Sequence, residues 1–311
     1  MARYRENMPQ IDDGLFLAYV GMETDLIFNQ GVNLLGFASY PLLETGEGRE
    51  CLRNYFAEMI AIARGADAGV ILESPTWVAN RERGSAIGYT PEMLAERNIQ
   101  AIELMSEVRE AHGDLPTIIS ANIGPRADAY APAEQMSAEE AQQYHVEQIG
   151  SFANTDADVI SGYTLAYPEE AIGIVRAAQH FKLPVVISFT VETDGCLPTG
   201  LSVEKAIEVV DAATENYASY FMINCAHPDH FDQVLTGAPW MTRLKGVVAN
   251  ASRCSHAELD EADILDDGNP DELGLQLAQI RRQHANINIL GGCCGTDLRH
   301  MKCIAQAATK Q

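Results

Sequence analysis

The sequence predicts a single (β/α)8 barrel over residues 1–311, an α/β fold in which a closed parallel sheet is ringed by helices. Three observations predict it. Eight short apolar runs of strand type alternate with segments of helical spacing. No linker, internal repeat or low-complexity tract breaks the alternation, and the chemically distinctive residues gather just after the apolar runs. A doubly wound open sheet is the other architecture such alternation permits. At 311 residues the chain is long enough to bury a substantial core.

The elements follow in order. The first strand is read at 15–20, ending in the turn Gly-Met-Glu-Thr-Asp at 21–25 and a helical-looking segment beyond it. From Glu47 onward, Leu52, Tyr55, Phe56, Met59, Ile60 and Ala63 share one helix face, and Gly65 stops that helix. The second strand is 69–74. Thr90 caps and Pro91 opens a helix in which Leu94, Ile102, Met105 and Val108 face one side until Gly113. After the third strand at 117–124, Ser137 and Glu140 make a capping box for a helix ending near Phe152. The fourth strand, 158–164, precedes a helix over 168–181. Residues 184–191 run apolar without alternation, as a strand buried on both faces does. Ser202 caps the helix that carries Ala206, Ile207, Val210 and Ala213. The last strands are read at 220–225, 245–250 and 287–292, with helices over 271–284 and from Leu298.

Charge and composition exclude several roles. There are 21 basic and 44 acidic residues, a net charge of −23, which repels phosphate backbones and anionic lipid. Neither a nucleic acid nor a membrane surface is expected as a partner. No apolar run approaches the roughly 18 residues of a membrane span, and the opening Met-Ala-Arg-Tyr-Arg-Glu lacks the apolar segment of a signal peptide. A cytoplasmic protein is expected, with homo-oligomerisation left open. Seven cysteines in a reducing compartment read as thiols and not as a disulfide framework. Cys51 and Cys303 lie in helical patterns and read as packing residues.

Three other cysteines carry chemistry. In Ile-Leu-Gly-Gly-Cys-Cys-Gly-Thr-Asp at 289–297, Cys293 and Cys294 sit where a strand ends and a helix begins, a position where backbone N–H groups favour thiolates. An inert buried pair and a strained vicinal disulfide are the structural alternatives. Cys225 ends another strand, and a third thiol at a strand end favours a metal over both. Three cysteinates with the fourth position open describe a catalytic zinc site.

These residues resemble the homocysteine S-methyltransferase family, zinc-thiolate barrels that include the betaine– and S-methylmethionine–homocysteine methyltransferases. The resemblance runs from Gly-Met-Glu-Thr-Asp-Leu at 21–26 through Asn-Ile-Gly-Pro at 122–125 and Ile-Ser-Phe-Thr at 187–190. It ends in the two specific motifs, Ile-Asn-Cys at 223–225 and Gly-Gly-Cys-Cys-Gly-Thr at 291–296. It implies that Cys225, Cys293 and Cys294 bind Zn2+. It further implies methyl transfer from a small sulfonium or ammonium donor to a thiol, homocysteine giving methionine. The family's Phe-Glu-Thr at the end of the fourth strand, whose glutamate is associated with the homocysteine amino group, reads Gly162-Tyr163-Thr164 here. Val20 and Glu23 stand where the family tends to have glycine. A different thiol acceptor, and a noncatalytic zinc- or ligand-binding barrel, are the competing readings.

Glu73, at the end of the second strand, would supply the missing carboxylate if it points into the mouth; otherwise it is a solvated or paired acid. Trp77 and Tyr163 offer aromatic faces to an onium methyl donor or pack the mouth. Asn224 and Asn250 would orient ligands or substrate by hydrogen bonds, or have a purely structural part. Asp25, Glu192 and Asp194 are acids at strand ends that bind an amino group or are solvated. Cys254, with His256, reads as an incidental thiol, and His227 and His230 as surface residues.

Overall fold

The computed structural model describes residues 2–130, 134–261 and 264–310. Its eight parallel strands close in sequence order: β1 (Phe16–Leu17), β2 (Gly69–Glu73), β3 (Thr117–Ile123), β4 (Val159–Leu165), β5 (Val185–Thr190), β6 (Phe221–Asn224), β7 (Leu244–Ala249) and β8 (Ile289–Gly292). β8 pairs back onto β1, so the sheet is the expected (β/α)8 barrel and not an open one. Seven long helices surround it among the described residues: α1 (Gly46–Gly65), α2 (Pro91–Ala111), α3 (Ala138–Phe152), α4 (Pro168–His180), α5 (Val203–Thr214), α6 (Pro270–Gln283) and α7 (Leu298–Thr309). After β6 there is no long helix, only the turn Pro228–Phe231 and 3-10 turns at Asp232–Val234 and Pro239–Arg243. No described helix is long and apolar enough to cross a membrane.

Helix starts follow from local chemistry. Thr45, Thr90 and Ser202 each accept a hydrogen bond from the backbone N–H three residues on, and Ser137 with Glu140 forms the anticipated reciprocal box. Asp297 accepts from Arg299 N and His300 N, which fixes the start of α7 directly after the Cys-Cys turn.

The period-two alternation of the strands sorts side chains into two cores. Val70, Leu72, Ile119, Ile187 and Ile223 face the helices, whereas Phe16, Ile71, Ile118, Val159, Val186, Met222 and Ile289 pack inside the barrel. Continuing the inward face by two residues at a time leads from Ile71 to Glu73, from Ile118 through Ser120 to Asn122, and from Val159 through Ser161 to Tyr163. The barrel interior therefore changes from apolar to polar toward the C-terminal ends of its strands.

The first strand is shorter than the sequence suggests. Beyond Leu17 the chain leaves β2 and bonds only to the β8 side, through Ala18 N to Leu290 O (2.8 Å) and Gly292 N to Tyr19 O (2.8 Å). Gly21 then lies so close to the Cys-Cys turn that a Cβ there would stand 2.4 Å from Cys293 O, so only glycine allows the first loop to reach β8.

At the opposite end, Asp158 gathers four donors: Arg109 Nη1 (2.7 Å), Ile119 N (2.9 Å), Arg3 N (2.7 Å) and Tyr4 N (3.0 Å). Both members of the Arg109–Asp158 pair are buried. Removing one partner leaves a buried charge uncompensated, so Arg109→Met should destabilise the protein by about 3–5 kcal/mol in denaturant titrations. A loss under about 1 kcal/mol would show that the pair is dispensable to the fold.

Candidate metal centre

Cys225 follows β6 in a left-handed conformation (φ 56°), which few non-glycine residues adopt, and this turns its side chain toward the barrel axis. Cys293 and Cys294 follow β8 in a turn completed by Gly295 (φ 77°). Cys225 N donates to Val248 O (3.1 Å), Cys293 N to Ala249 O (2.7 Å) and Cys294 N to Asn250 Oδ1 (3.1 Å), so β7 and its end hold both cysteine segments. Cys225 Sγ lies 2.7 Å from Cys293 Sγ and 3.5 Å from Cys294 Sγ.

All three sulfurs lie within 4.8 Å of one another, and no other group of three or more metal-binding side chains converges in this way among the described residues. Tetrahedral zinc with bonds of about 2.3 Å would set its sulfur ligands about 3.8 Å apart, so the cluster needs little rearrangement to take such an ion. Three soft thiolate donors suit zinc over harder cations. Hydrogen bonds from Cys225 and then Cys293 pull the Cys294 thiol well below its ordinary pKa, whereas Cys293, bonded to Cys225 and Cys294, is pushed up.

Two residues beside the sulfurs were not singled out as site residues from the sequence. Tyr130, in the β3–α3 loop, sets its hydroxyl 3.1 Å from Cys225 Sγ, and its ring stacks on His256 with centroids 4.0 Å apart. His256 Nε2 lies 2.6 Å from Cys225 O and its Nδ1 lies 3.1 Å from Glu192 Oε1. No spacing in the sequence announces these contacts, because they join loops that follow β3, β5, β6 and β7.

The other expected residues distribute unevenly. Glu73 does point into the barrel, where Ser161 Oγ donates to it (2.6 Å) and Ser120 in turn bonds Ser161 (2.8 Å). Burial raises its pKa to about 7 against the opposing pull of these serines and Tyr163. Tyr163 is buried between Glu73 and Cys293, its phenol pushed up by burial and then by the Glu73 charge. Asn224 is committed to protein partners: its Oδ1 accepts from Thr164 N (3.1 Å) and Ser188 Oγ (2.7 Å), and its Nδ2 donates to Thr164 Oγ1 (2.9 Å) and approaches Cys293 Sγ (3.9 Å).

Trp77 donates to Tyr163 O (3.3 Å) and carries the Arg83 guanidinium 5.3 Å from its ring centroid. Asp25 turns away from the sulfurs, toward Asn29, Gln30 and the α1 residues Cys51 and Tyr55. Glu23 is the acid of that loop nearest the thiols: it is buried, bonds Tyr19 and Ser39, and acts electrostatically on Cys294, with burial raising its pKa. Cys254 stays outside the cluster. His227 is buried and not at the surface, because its Nδ1 caps the Pro228–Phe231 turn, and burial lowers its pKa to about 4. His230 bonds Arg253 O. Asp194 Oδ1 accepts from Cys196 N within its own turn.

A cavity of about 190 Å3 opens beside Cys294, lined by Phe28, Phe37, Tyr130, Asn250, His256 and Asp266 among others. A closed parallel barrel with three convergent thiols in its mouth defines an enzyme scaffold equipped for metal-thiolate chemistry. The chain belongs to the homocysteine S-methyltransferase family, whose profile matches residues 21–308, and is therefore a methyltransferase. Crystal structures of the homocysteine methyltransferase MmuM from Escherichia coli share the fold. The metallated form has a TM-score of 0.73 at 20% identity, covering 96% of this chain and 97% of that one. The oxidized form gives 0.74, also at 20% identity over 96% and 97%, and the apo form 0.68 at 18% over 97% and 98%. No curated protein matches the sequence.

Two predictions follow from the geometry. The folded protein keeps Glu73 protonated up to about pH 7, whereas an unfolded chain releases that proton near 4.5. The stability due to the neutral carboxyl is then complete below about pH 4.5 and is lost as pH rises through 7. Glu73→Gln should match the parent near pH 4.5 and exceed it by about 3 kcal/mol above pH 8 in paired denaturant titrations; a difference independent of pH would refute the shift. Secondly, air oxidation of metal-free protein should join Cys225 to Cys293, the closest sulfurs, and not the vicinal pair Cys293 and Cys294. Peptide mapping by mass spectrometry distinguishes the two bonds.

Proposed function

We propose that the protein is a zinc-dependent S-methyltransferase that moves a methyl group from a small sulfonium or quaternary ammonium donor to homocysteine, forming methionine. The observation that carries this reading is the convergence of Cys225, Cys293 and Cys294 at the mouth of a barrel of this family. Zinc bound there would lower the pKa of a fourth, substrate thiol and keep its sulfur nucleophilic at neutral pH.

The remaining work belongs to the chain. A thiolate lone pair forms the new S–CH3 bond as the bond from the methyl carbon to the onium sulfur or nitrogen breaks. The donor leaves neutral at that atom, so no proton is needed in the transfer itself. The barrel must align the two in line and exclude water. Glu73 supplies the carboxylate for the substrate ammonium that Tyr163 cannot. Two buried polar atoms on the inward faces of β3 and β5, Asn122 Oδ1 and Thr190 Oγ1, have no protein partner, which suits a pocket for a polar amino-acid head. The apolar cavity beside Cys294 suits the methyl donor.

A second reading, transfer to another thiol, rests on Tyr163 at the end of β4. Binding measurements on zinc-loaded protein separate the two. Glu73→Gln should weaken homocysteine about ten- to a hundredfold, the loss of one charge-assisted hydrogen bond of roughly 1.5–3 kcal/mol. Unchanged affinity in Glu73→Gln together with tighter binding in Tyr163→Glu would instead favour a thiol without an amino group. One zinc per chain is expected, lost when Cys225, Cys293 and Cys294 are all replaced by serine; full zinc in that variant would sink the assignment.

A further inference from the structure

The methyl-transfer reading gives Tyr130 and His256 only a share in the wall of the donor cavity and Glu192 no part, yet the three form a bonded group around Cys225. Cys225 is the one proposed ligand held in a left-handed backbone conformation, a strain that persists only where neighbours over-determine it. Its N–H is fixed by Val248 O (3.1 Å). Its carbonyl is fixed by His256 Nε2 (2.6 Å), and since a carbonyl only accepts, that nitrogen carries the proton. Glu192 Oε1 lies 3.1 Å from the other ring nitrogen and sets the ring plane. The same ring stacks on Tyr130 (4.0 Å, interplanar angle 26°), whose hydroxyl reaches Cys225 Sγ (3.1 Å).

We infer that His256 is a positioning residue of the metal centre, which pins Cys225 by its carbonyl and, by stacking, aims the Tyr130 phenol at the Cys225 sulfur. The inference rests on the reading of the three thiols as a zinc site and adds to it a support drawn from three separate loops. Two consequences are distinct. Holding the carbonyl preorganises the ligand and so raises zinc affinity. A hydrogen bond from the phenol to the bound sulfur withdraws charge from it, and so tunes how much electron density that ligand gives the metal.

Both consequences can be read without turnover. Zinc affinity is measured on the full chain by competition with a chromophoric chelator, and ligand character by the thiolate-to-cobalt charge-transfer band of Co2+-substituted protein. His256→Ala should weaken zinc about ten- to a hundredfold, the usual effect of removing a group that orients a ligand. His256→Gln, which keeps an N–H for Cys225 O, should recover part of that loss. Tyr130→Phe keeps the stacked ring and should shift the charge-transfer band while changing zinc affinity less than His256→Ala. Parental zinc affinity in folded His256→Ala, or an unmoved cobalt band in Tyr130→Phe, overturns the inference. If His256→Ala does not fold, His256→Gln and Tyr130→Phe decide it, and parental behaviour in both overturns it. Failure of the parent protein to bind zinc would instead remove the functional reading on which the inference stands.

Discussion

The mouth of this barrel depends on one backbone constraint, the left-handed turn of Cys225 at the end of β6. An extended residue there would keep the strand alternation, and since Asn224 already faces inward, the thiol would be directed to the helix side. The positive φ breaks the alternation for one residue, so Asn224 and Cys225 both act on the barrel interior. Asn224 uses this position to tie the irregular end of β4, where Thr164 is itself left-handed (φ 64°), to the sulfur of Cys293. Strands 4, 6 and 8 are thereby joined at a single level.

Much of this was legible in the sequence, for identifiable reasons. Helix starts such as Ser137 with Glu140 and Thr90 with Pro91 are set by contacts within four residues, so a local reading recovers them. The buried strands announce themselves as uninterrupted apolar runs, and the Cys-Cys turn as glycines between a strand and a helix cap. The resemblance of the motifs added the family. What failed locally were contacts between loops. Tyr130 and His256 meet over Cys225 though 126 positions separate them in the chain (256 − 130 = 126), and no periodicity carries that information. In the first loop, strand alternation does not extend past Gly21, so the reading could not tell that Glu23, and not Asp25, turns toward the thiols.

The polar interior also has an electrostatic logic. Glu23, Glu73 and the thiols are acidic groups withdrawn from water, and no lysine or arginine figures among the groups acting most strongly on them. Desolvated acids of this kind either stay protonated or take a cation. A mouth so composed favours occupants that bring positive charge, such as a metal ion, an ammonium or an onium group, and disfavours anions.

The shortness of β1 has a consequence for the way the molecule opens. A two-residue strand contributes few ladder hydrogen bonds; the seam runs on toward β8 through Phe16 N to Asn288 O, Ala18 N to Leu290 O and Gly292 N to Tyr19 O, and the Asn288 side-chain amide holds the segment before β1 by the carbonyls of Gln10, Asp12 and Gly14. Cooperative protection against local unfolding scales with such backbone pairing, so hydrogen exchange is fastest where the pairing is thinnest. In this barrel that edge leads directly into the loop carrying Glu23 and Gly21. The loop that borders the thiols is thus tied to the Cys-Cys turn, through Gly292 N to Tyr19 O (2.8 Å) and Gly21 N to Thr296 Oγ1 (3.0 Å), so its position follows that of β8 and not that of β2.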